Sequence, residues 1–440
     1  MIKVLHLSDI HMGSGFTHGR INPETGLNSR LEDFMSTLAR CIDRAIGKEA
    51  NEEPVDLVIF GGDAFPDATP PPYVQQAFAR QFRRLVDAQI PTVLLVGNHD
   101  QHSQGQGGAS LCIYRTLGVP GFVVGDTLTT HHLPTRNGPV QVITLPWLTR
   151  SSLMTRKETH GLSLAEVNQL LTERLRVVLE AEVRRLNPDV PTILLAHLMA
   201  DNATLGAERF LAVGKGFTLP MSLLTRPCFD YVALGHVHRH QNLNKTNDPP
   251  VIYPGSIERV DFSEEKEDKG YVIVELQRGK VEWEFCPLLV RKFSTIEVDT
   301  SKAKDPQAAI IKAIAKQEIE DAVVRLIYKI RSEQLDLIDT SALHEALSSA
   351  HTYTIHPELV SQLARPRVPE LSASSSIDPM DALKTYLNNR EDLQDIADLM
   401  MDAAQRLLAD DEEELEEEEE EIEQKETVSA STENTQLRLL

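Results

Sequence analysis

An α/β fold with its functional groups gathered beyond the carboxyl ends of the strands is what this chain predicts, and three observations predict it. Short β-rich apolar runs alternate with helix-period segments over residues 1–290. Most of those runs end on Gly, Asp, Asn or His. The composition, 41% hydrophobic and 25% charged over 440 residues, suits a soluble chain of two or three domains with a large core.

The runs are "KVLHLSD" (3–9), "VDLVIFGGD" (55–63), "TVLLVGNHD" (92–100), "VQVITLPW" (140–147), "TILLAHLM" (192–199) and "YVALGHVH" (231–238). Between the first two, Leu31, Phe34, Met35, Leu38, Ile42 and Ile46 recur three and four apart, the spacing of an amphipathic helix. Between the next two, "TPPPYVQQAFARQFRRLVDAQ" opens with prolines suited to a helix start. The result is a βαβαβ order, and "GYVIVELQ" with "VEWEFCPL", joined at Arg278-Gly279-Lys280, reads as a hairpin closing the domain near residue 290. Residues 291–363 read as a small α+β domain, with 364–377 a Pro- and Ser-rich linker. Residues 378–408 read as two short amphipathic helices: Asp378 offers an N-cap, Pro379 the first helical position, and the pattern breaks around Asn388 and Asn389. They pack onto the chain's own core or dock a partner.

Net charge is −22, which taken whole argues against electrostatic capture of nucleic acid. However, residues 410–426 alone carry 13 acidic groups against one lysine, leaving −10 for the rest. Residues 409–440 therefore read as a disordered solvating tail. The chain opens with "MIKVLHLSDI", with no basic segment leading into a longer apolar stretch, and lacks a membrane-spanning run, so it is expected in the cytoplasm with no membrane partner. Cys41, Cys112, Cys228 and Cys286 form no CxxC pair and read as buried small hydrophobes.

Metal sites need several ligands converging from rigid elements, and the strand ends supply them five times. Asp9 and His11, then Asp63, then Asn98 and His99, then His197, then His236 and His238 each close an apolar run. Carboxylates, an amide oxygen and imidazoles without cysteine favour a hydrolytic Mn, Fe, Zn or Mg site over a structural zinc. Seven candidate ligands exceed the needs of one ion, and two ions call for a bridging carboxylate, for which Asp63 is placed. His236, His238 and His240 alternate, so an extended strand would project all three from one face. His6 inside the first run reads as an interior histidine, and His131-His132 as exposed turn residues.

D-x-H, G-D, G-N-H-D, an isolated His and G-H-x-H in this order resemble the calcineurin-like metallophosphoesterase superfamily. The resemblance implies two packed mixed β-sheets flanked by helices, a small α+β capping domain and C-terminal helices. It also implies two divalent ions, expected to be Mn²⁺: Asp9, His11, Asp63 and His238 for the first, Asp63, Asn98, His197 and His236 for the second. His99 would donate a proton to the leaving oxygen.

Protein phosphatases of this class place an Arg before Gly-Asn-His, where this chain has Val96. The stretch from Phe229 to Leu276, "FDYVALGHVHRHQ … VIYPGSIERVDFSEEKEDKGYVIVEL", resembles the SbcD family of nuclease subunits from bacterial SbcCD double-strand-break repair complexes. That resemblance implies a DNA exonuclease and endonuclease, nucleoid-associated, homodimeric through helices of the nuclease domain, with residues 378–408 gripping an SbcC-like SMC-family ATPase. Many relatives carry His or Asp where Pro66 stands in "GGDAFPD". The long loop 13–30 makes Arg20 and Arg30 candidates for phosphate contact, and Arg239, Arg259, Lys266 and Lys269 form a second basic group. The alternatives are a stand-alone phosphodiesterase or phosphatase for a small molecule, and a scaffold with an inactive site.

Overall fold

The computed structural model describes residues 1–13, 18–49, 52–101, 109–148, 164–204, 218–246, 248–360, 379–388 and 397–404. It divides into two units, Met1–Val360 and Ser361–Leu440. The first unit opens with β1 (Ile2–Leu7), α1 (Ser29–Ala45), β2 (Leu57–Phe60), α2 (Pro72–Asp87), β3 (Thr92–Leu95), α3 (Cys112–Thr116) and β4 (Phe122–Gly125). It continues through β5 (Thr129–Thr135), β6 (Gly138–Leu145), α4 (Leu164–Val183), β7 (Thr192–His197), β8 (Met199–Ala200), β9 (Thr218–Leu219), α5 (Met221–Leu224) and β10 (Tyr231–Gly235). After β11 (Gln241–Asn242) and β12 (Val251–Tyr253) come the hairpin strands β13 (Gly270–Gln277) and β14 (Lys280–Pro287).

These strands build two six-stranded mixed sheets, ordered β14-β13-β1-β2-β3-β4 and β11-β12-β10-β7-β6-β5. The apolar runs are continuous because both faces of each central strand are buried, and the two-residue period sorts the side chains. Val4, Leu57, Ile59, Val93 and Leu95 from one sheet share a core with Val142, Ile193, Leu195, Tyr231 and Ala233 from the other. Their neighbours Leu5, Val58, Phe60 and Leu94 face the opposite way and pack with Leu31 and Leu38 of α1 and Phe78 and Phe82 of α2. On the far side, Leu194, Val232 and Leu234 pack with Leu175 and Leu179 of α4. The layers are therefore helix, sheet, sheet, helix. β1 to β4 are parallel to one another, as are β6, β7, β10 and β12, so their carboxyl ends carry the loops.

A three-stranded sheet follows, β15 (Phe293–Asp299), β16 (Val323–Ile330) and β17 (Thr352–Leu359), with α6 (Pro306–Ile314) and α7 (Thr340–Ala346) in the crossovers. All three strands are parallel, so this module runs βαβαβ. Asp305 caps α6 by accepting from the Ala308 N–H, with Pro306 at the first turn.

In the second unit, α8 (Pro379–Asn388) starts at the expected proline, and residues 397–404 are helical. The linker, Asp378, the stretch around Asn389 and the acidic tail lie outside the described residues. Among the described residues no helix is long and apolar enough to cross a membrane. The four cysteines are free: Cys41 is buried as expected, whereas the other three are partly exposed. His131 and His132 lie in β5, opposite Val142 and Gln141 of β6, rather than forming a turn, with His131 half-buried and its Nε2 3.2 Å from Thr144 Oγ1.

Candidate metal centre

Each expected ligand stands at or just past the carboxyl end of a parallel strand: Asp9 and His11 after β1, Asp63 after β2, Asn98 after β3, His197 closing β7, and His236 and His238 after β10. The loops of the two sheets are tied to one another. Asp9 N–H donates to Gly62 O at 3.0 Å, His11 N–H to Asp63 O at 3.1 Å, and His236 N–H crosses between sheets to Asp9 Oδ1 at 3.0 Å. Close approach requires glycine at Gly235, where a Cβ would lie 2.1 Å from Gly61 O, and at Gly97, where it would meet Asp63 Oδ1 at 2.1 Å. Asp9, His11, Asp63 and His236 hold φ values of 52, 46, 59 and 101°, a concentration of left-handed non-glycine backbone that marks a functional site.

The strand ends before the histidines do. β10 stops at Gly235, and His236, with its positive φ, leaves the extended path, so a shared strand face is not what brings the histidines together. His240 takes other partners: its ring stacks on Phe285 at 4.0 Å and its Nδ1 donates to Tyr253 O.

One half of the cluster joins Asp9, His11 and His238. His238 Nδ1 donates to Glu264 Oε1 at 2.7 Å, which leaves Nε2 aimed at His11 Nε2, 3.0 Å away. Burial, then His238, holds His11 well below the usual imidazole range, while burial raises Asp9 against the pull of His197 and His238. Burial opposes the charge of Glu264, yet His238 and Lys269 bring it down to about 2. No signal in the sequence pointed to Glu264, 26 positions downstream of His238 in a charged stretch.

The other half joins Asp63, His197 and His236. His197 Nδ1 donates to the carbonyl of Gly61 at 2.7 Å, so Nε2 faces Asn98 Oδ1 at 3.0 Å and Asp63 Oδ2 at 3.3 Å. His236 Nδ1 also meets Asn98 Oδ1, at 2.9 Å, and Trp147 lies against its ring at 4.8 Å. Burial disfavours a charged His197, but Asp63 outweighs it and pushes the imidazole up to about 9; a proton there occupies the place of a cation. Asp63 is held well below the carboxylate range by His197 and His11 despite burial, and burial, then His197, pushes His236 down to about 3.

Asp63 Oδ2 stands between the halves, 3.3 Å from His197 Nε2 and 3.7 Å from His11 Nε2. Ligands ~2.1 Å from one ion and at right angles lie ~3.0 Å apart, so these spacings suit divalent ions in each half with Asp63 shared. Among the described residues the buried Nε2 of His236 has no hydrogen-bond partner. The donor set fits hard or borderline divalent cations.

His99 sits beside the first half, its ring 5.0 Å from that of His11. Its Nδ1 donates to the carbonyl of Pro66 at 2.8 Å, leaving Nε2 as the nitrogen that can exchange a proton. Asp100 was also missed: its carboxylate accepts from the N–H groups of Asp63, Ala64 and Gly97, stitching two ligand loops together. Burial and the charge of Asp63 push it up to about 7.

The expected phosphate contacts fare differently. Arg30 is 1% exposed, bound to Asp33 at 2.5 Å, to Glu258 at 3.3 Å and to the Arg259 carbonyl at 2.7 Å, the contacts of a structural clamp. Arg20 is exposed, and its backbone pairs with Ser29, whose Oγ meets His351 of the three-stranded module. Lys269 is buried, and Arg259 spends its guanidinium on the carbonyls of Glu264, Glu267 and Arg291. Arg239 and Lys266 remain exposed. His6 is interior as expected, its Nδ1 3.0 Å from the Tyr231 hydroxyl.

Residues 2–240 match the family model for calcineurin-like phosphoesterases. The chain belongs to that family. As a calcineurin-like phosphoesterase it is a hydrolase of phosphoesters that uses divalent metal ions, and the clustered residues are those that could hold them. This calcineurin-like phosphoesterase has a low likeness to two solved structures. A sulfate thiohydrolase SoxB from Thermus thermophilus, in complex with glycerol, is 14% identical over 72% of this chain and 60% of its own, with a TM-score of 0.29. A glutamine-dependent NAD+ synthetase from Acinetobacter baumannii, in complex with adenosine diphosphate, is 14% identical over 87% of this chain and 70% of its own, with a TM-score of 0.28.

Proposed function

We propose that the chain is a metal-dependent DNA nuclease, the D subunit of an SbcCD-like repair complex, cutting duplex ends and hairpins by phosphodiester hydrolysis. The observation that carries a diester over a monoester is Val96, buried in the position from which phosphatases of the family grip phosphate with Arg. A singly charged diester needs less cationic help than a monoester dianion. The resemblance to SbcD supports DNA as the diester, through a stretch that contains His236, His238 and Glu264.

In this reading Asp9, His11, Asp63 and His238 hold one ion, and Asp63, Asn98, His197 and His236 the other, with Mn²⁺ the favoured occupant. When bound, the ions supply Lewis acidity at the phosphodiester and a lowered pKa for water. The chain's own contribution is geometric and protic: Asp63 and Asn98 present oxygens beside the imidazoles of His197 and His236, and His99 Nε2, its tautomer fixed by the Pro66 carbonyl, would deliver a proton to the leaving oxygen. The helices within 378–408 dock an SbcC-like ATPase, and the nuclease subunit is a homodimer.

The test supplies purified protein and Mn²⁺ with linear duplex, a DNA hairpin and a chromogenic phosphodiester, with and without the ATPase. Cleavage of DNA is expected. Turnover of the small ester alone, with DNA untouched in every condition, would identify a stand-alone phosphodiesterase instead.

A further inference from the structure

We propose that Glu264 and Lys269 form a buried positioning pair for His238, holding its ring and its backbone together so that Nε2 is delivered to one of two ions. The pair grips a single residue from two directions. Glu264 Oε1 accepts from His238 Nδ1 at 2.7 Å, and Lys269 Nζ donates to the His238 carbonyl at 3.1 Å. The two charges meet each other at 2.7 Å, and Glu267 adds a second carboxylate 2.9 Å from the lysine. Glu264 and Lys269 are 2% and 1% exposed.

Burying such a pair needs a reason other than stability. Desolvating two charges cancels much of their attraction, and well-packed apolar residues of like volume commonly serve a core as well or better. A carboxylate on the far nitrogen of a metal-binding imidazole, by contrast, fixes the tautomer and raises the basicity of the ligating nitrogen. His238 needs both, because it sits on a loop beyond β10 and not within the ladder that holds His197.

The segment carrying the pair is itself braced. Glu264 closes the 3-10 turn Phe262–Glu264, which Asp261 caps by accepting from the Ser263 N–H. Glu264 Oε2 also accepts from the Val260 N–H at 3.0 Å. Phe262 packs with Phe293 of β15 and Val323 of β16, and the Arg325 guanidinium lies 4.4 Å over its ring. The turn therefore joins the three-stranded module to a metal ligand.

This role rests on the two-ion reading of the cluster, and its test reads metal binding and not DNA cleavage, so the two can fail separately. Mn²⁺ is titrated calorimetrically into the full chain, wild type, Glu264→Ala and Glu264→Gln, with the melting temperature of each metal-free protein measured alongside. Glu264→Ala is expected to weaken one ion by ~10–100-fold and leave the other unchanged. Glu264→Gln, whose amide oxygen still accepts from Nδ1, should fall between it and the wild type. Two wild-type affinities in a folded variant, an equal loss of both ions, or a single ion in the wild type would each overturn the proposal. If Glu264→Ala does not fold, Glu264→Gln decides alone.

Discussion

The two halves of the cluster gather similar donors and support them by different means. His197 closes a central strand, and a backbone carbonyl fixes its tautomer, with Trp147 covering the neighbouring His236. His238 stands on a loop and is fixed by a buried carboxylate and lysine. A ligand built into a sheet ladder needs only a neutral acceptor, because its backbone is already held; a ligand on a loop needs its ring and main chain secured by side chains.

Asp63→Ala is expected to give the largest effect, because in the two-ion reading it removes the carboxylate common to both sites. Both ions are expected to weaken by more than the ~100-fold typical of an outer partner's loss, read by metal analysis after dialysis. Retention of one tight ion would mean the halves are independent. If His99 acts as the proposed proton donor, His99→Gln should lower turnover by ~10²–10⁴-fold while both ions stay bound. Metal loss matching that of Asp63→Ala would make His99 a ligand.

The His197 half should also respond to pH. With His197 raised to about 9, the metal-free imidazole holds a proton at neutral pH, and an ion must displace it. Affinity for that ion is expected to tighten by up to ~tenfold per unit as pH rises towards 9 and then to level off. A flat profile in calorimetry across buffers of different ionisation enthalpy would contradict the shared proton. The smallest effect belongs to Trp147→Ala, expected to loosen only the His236 side, by less than ~tenfold in metal affinity.

Much of this was legible in the sequence. The apolar runs, the crossover helices and the strand-end ligands follow from periodicity and from the glycines that let backbones meet. The geometry of "YVALGHVHRHQ" was not, because alternation was read as strand when Gly235 ends the strand and His236 turns away from it. Arg30 looked like a phosphate contact because loops near a site often supply one; its burial against Glu258, 228 positions away, is a tertiary fact with no local signature. Glu264 and Lys269 were hidden for the same reason, inside a charged stretch that resembles a solvated surface.

The most direct test of a shared Asp63 is the electron paramagnetic resonance spectrum of the fully Mn²⁺-loaded wild-type protein at low temperature. Two ions bridged by one carboxylate should give the multiline pattern of an exchange-coupled pair. The simple spectrum of isolated ions at full loading would contradict a common bridge.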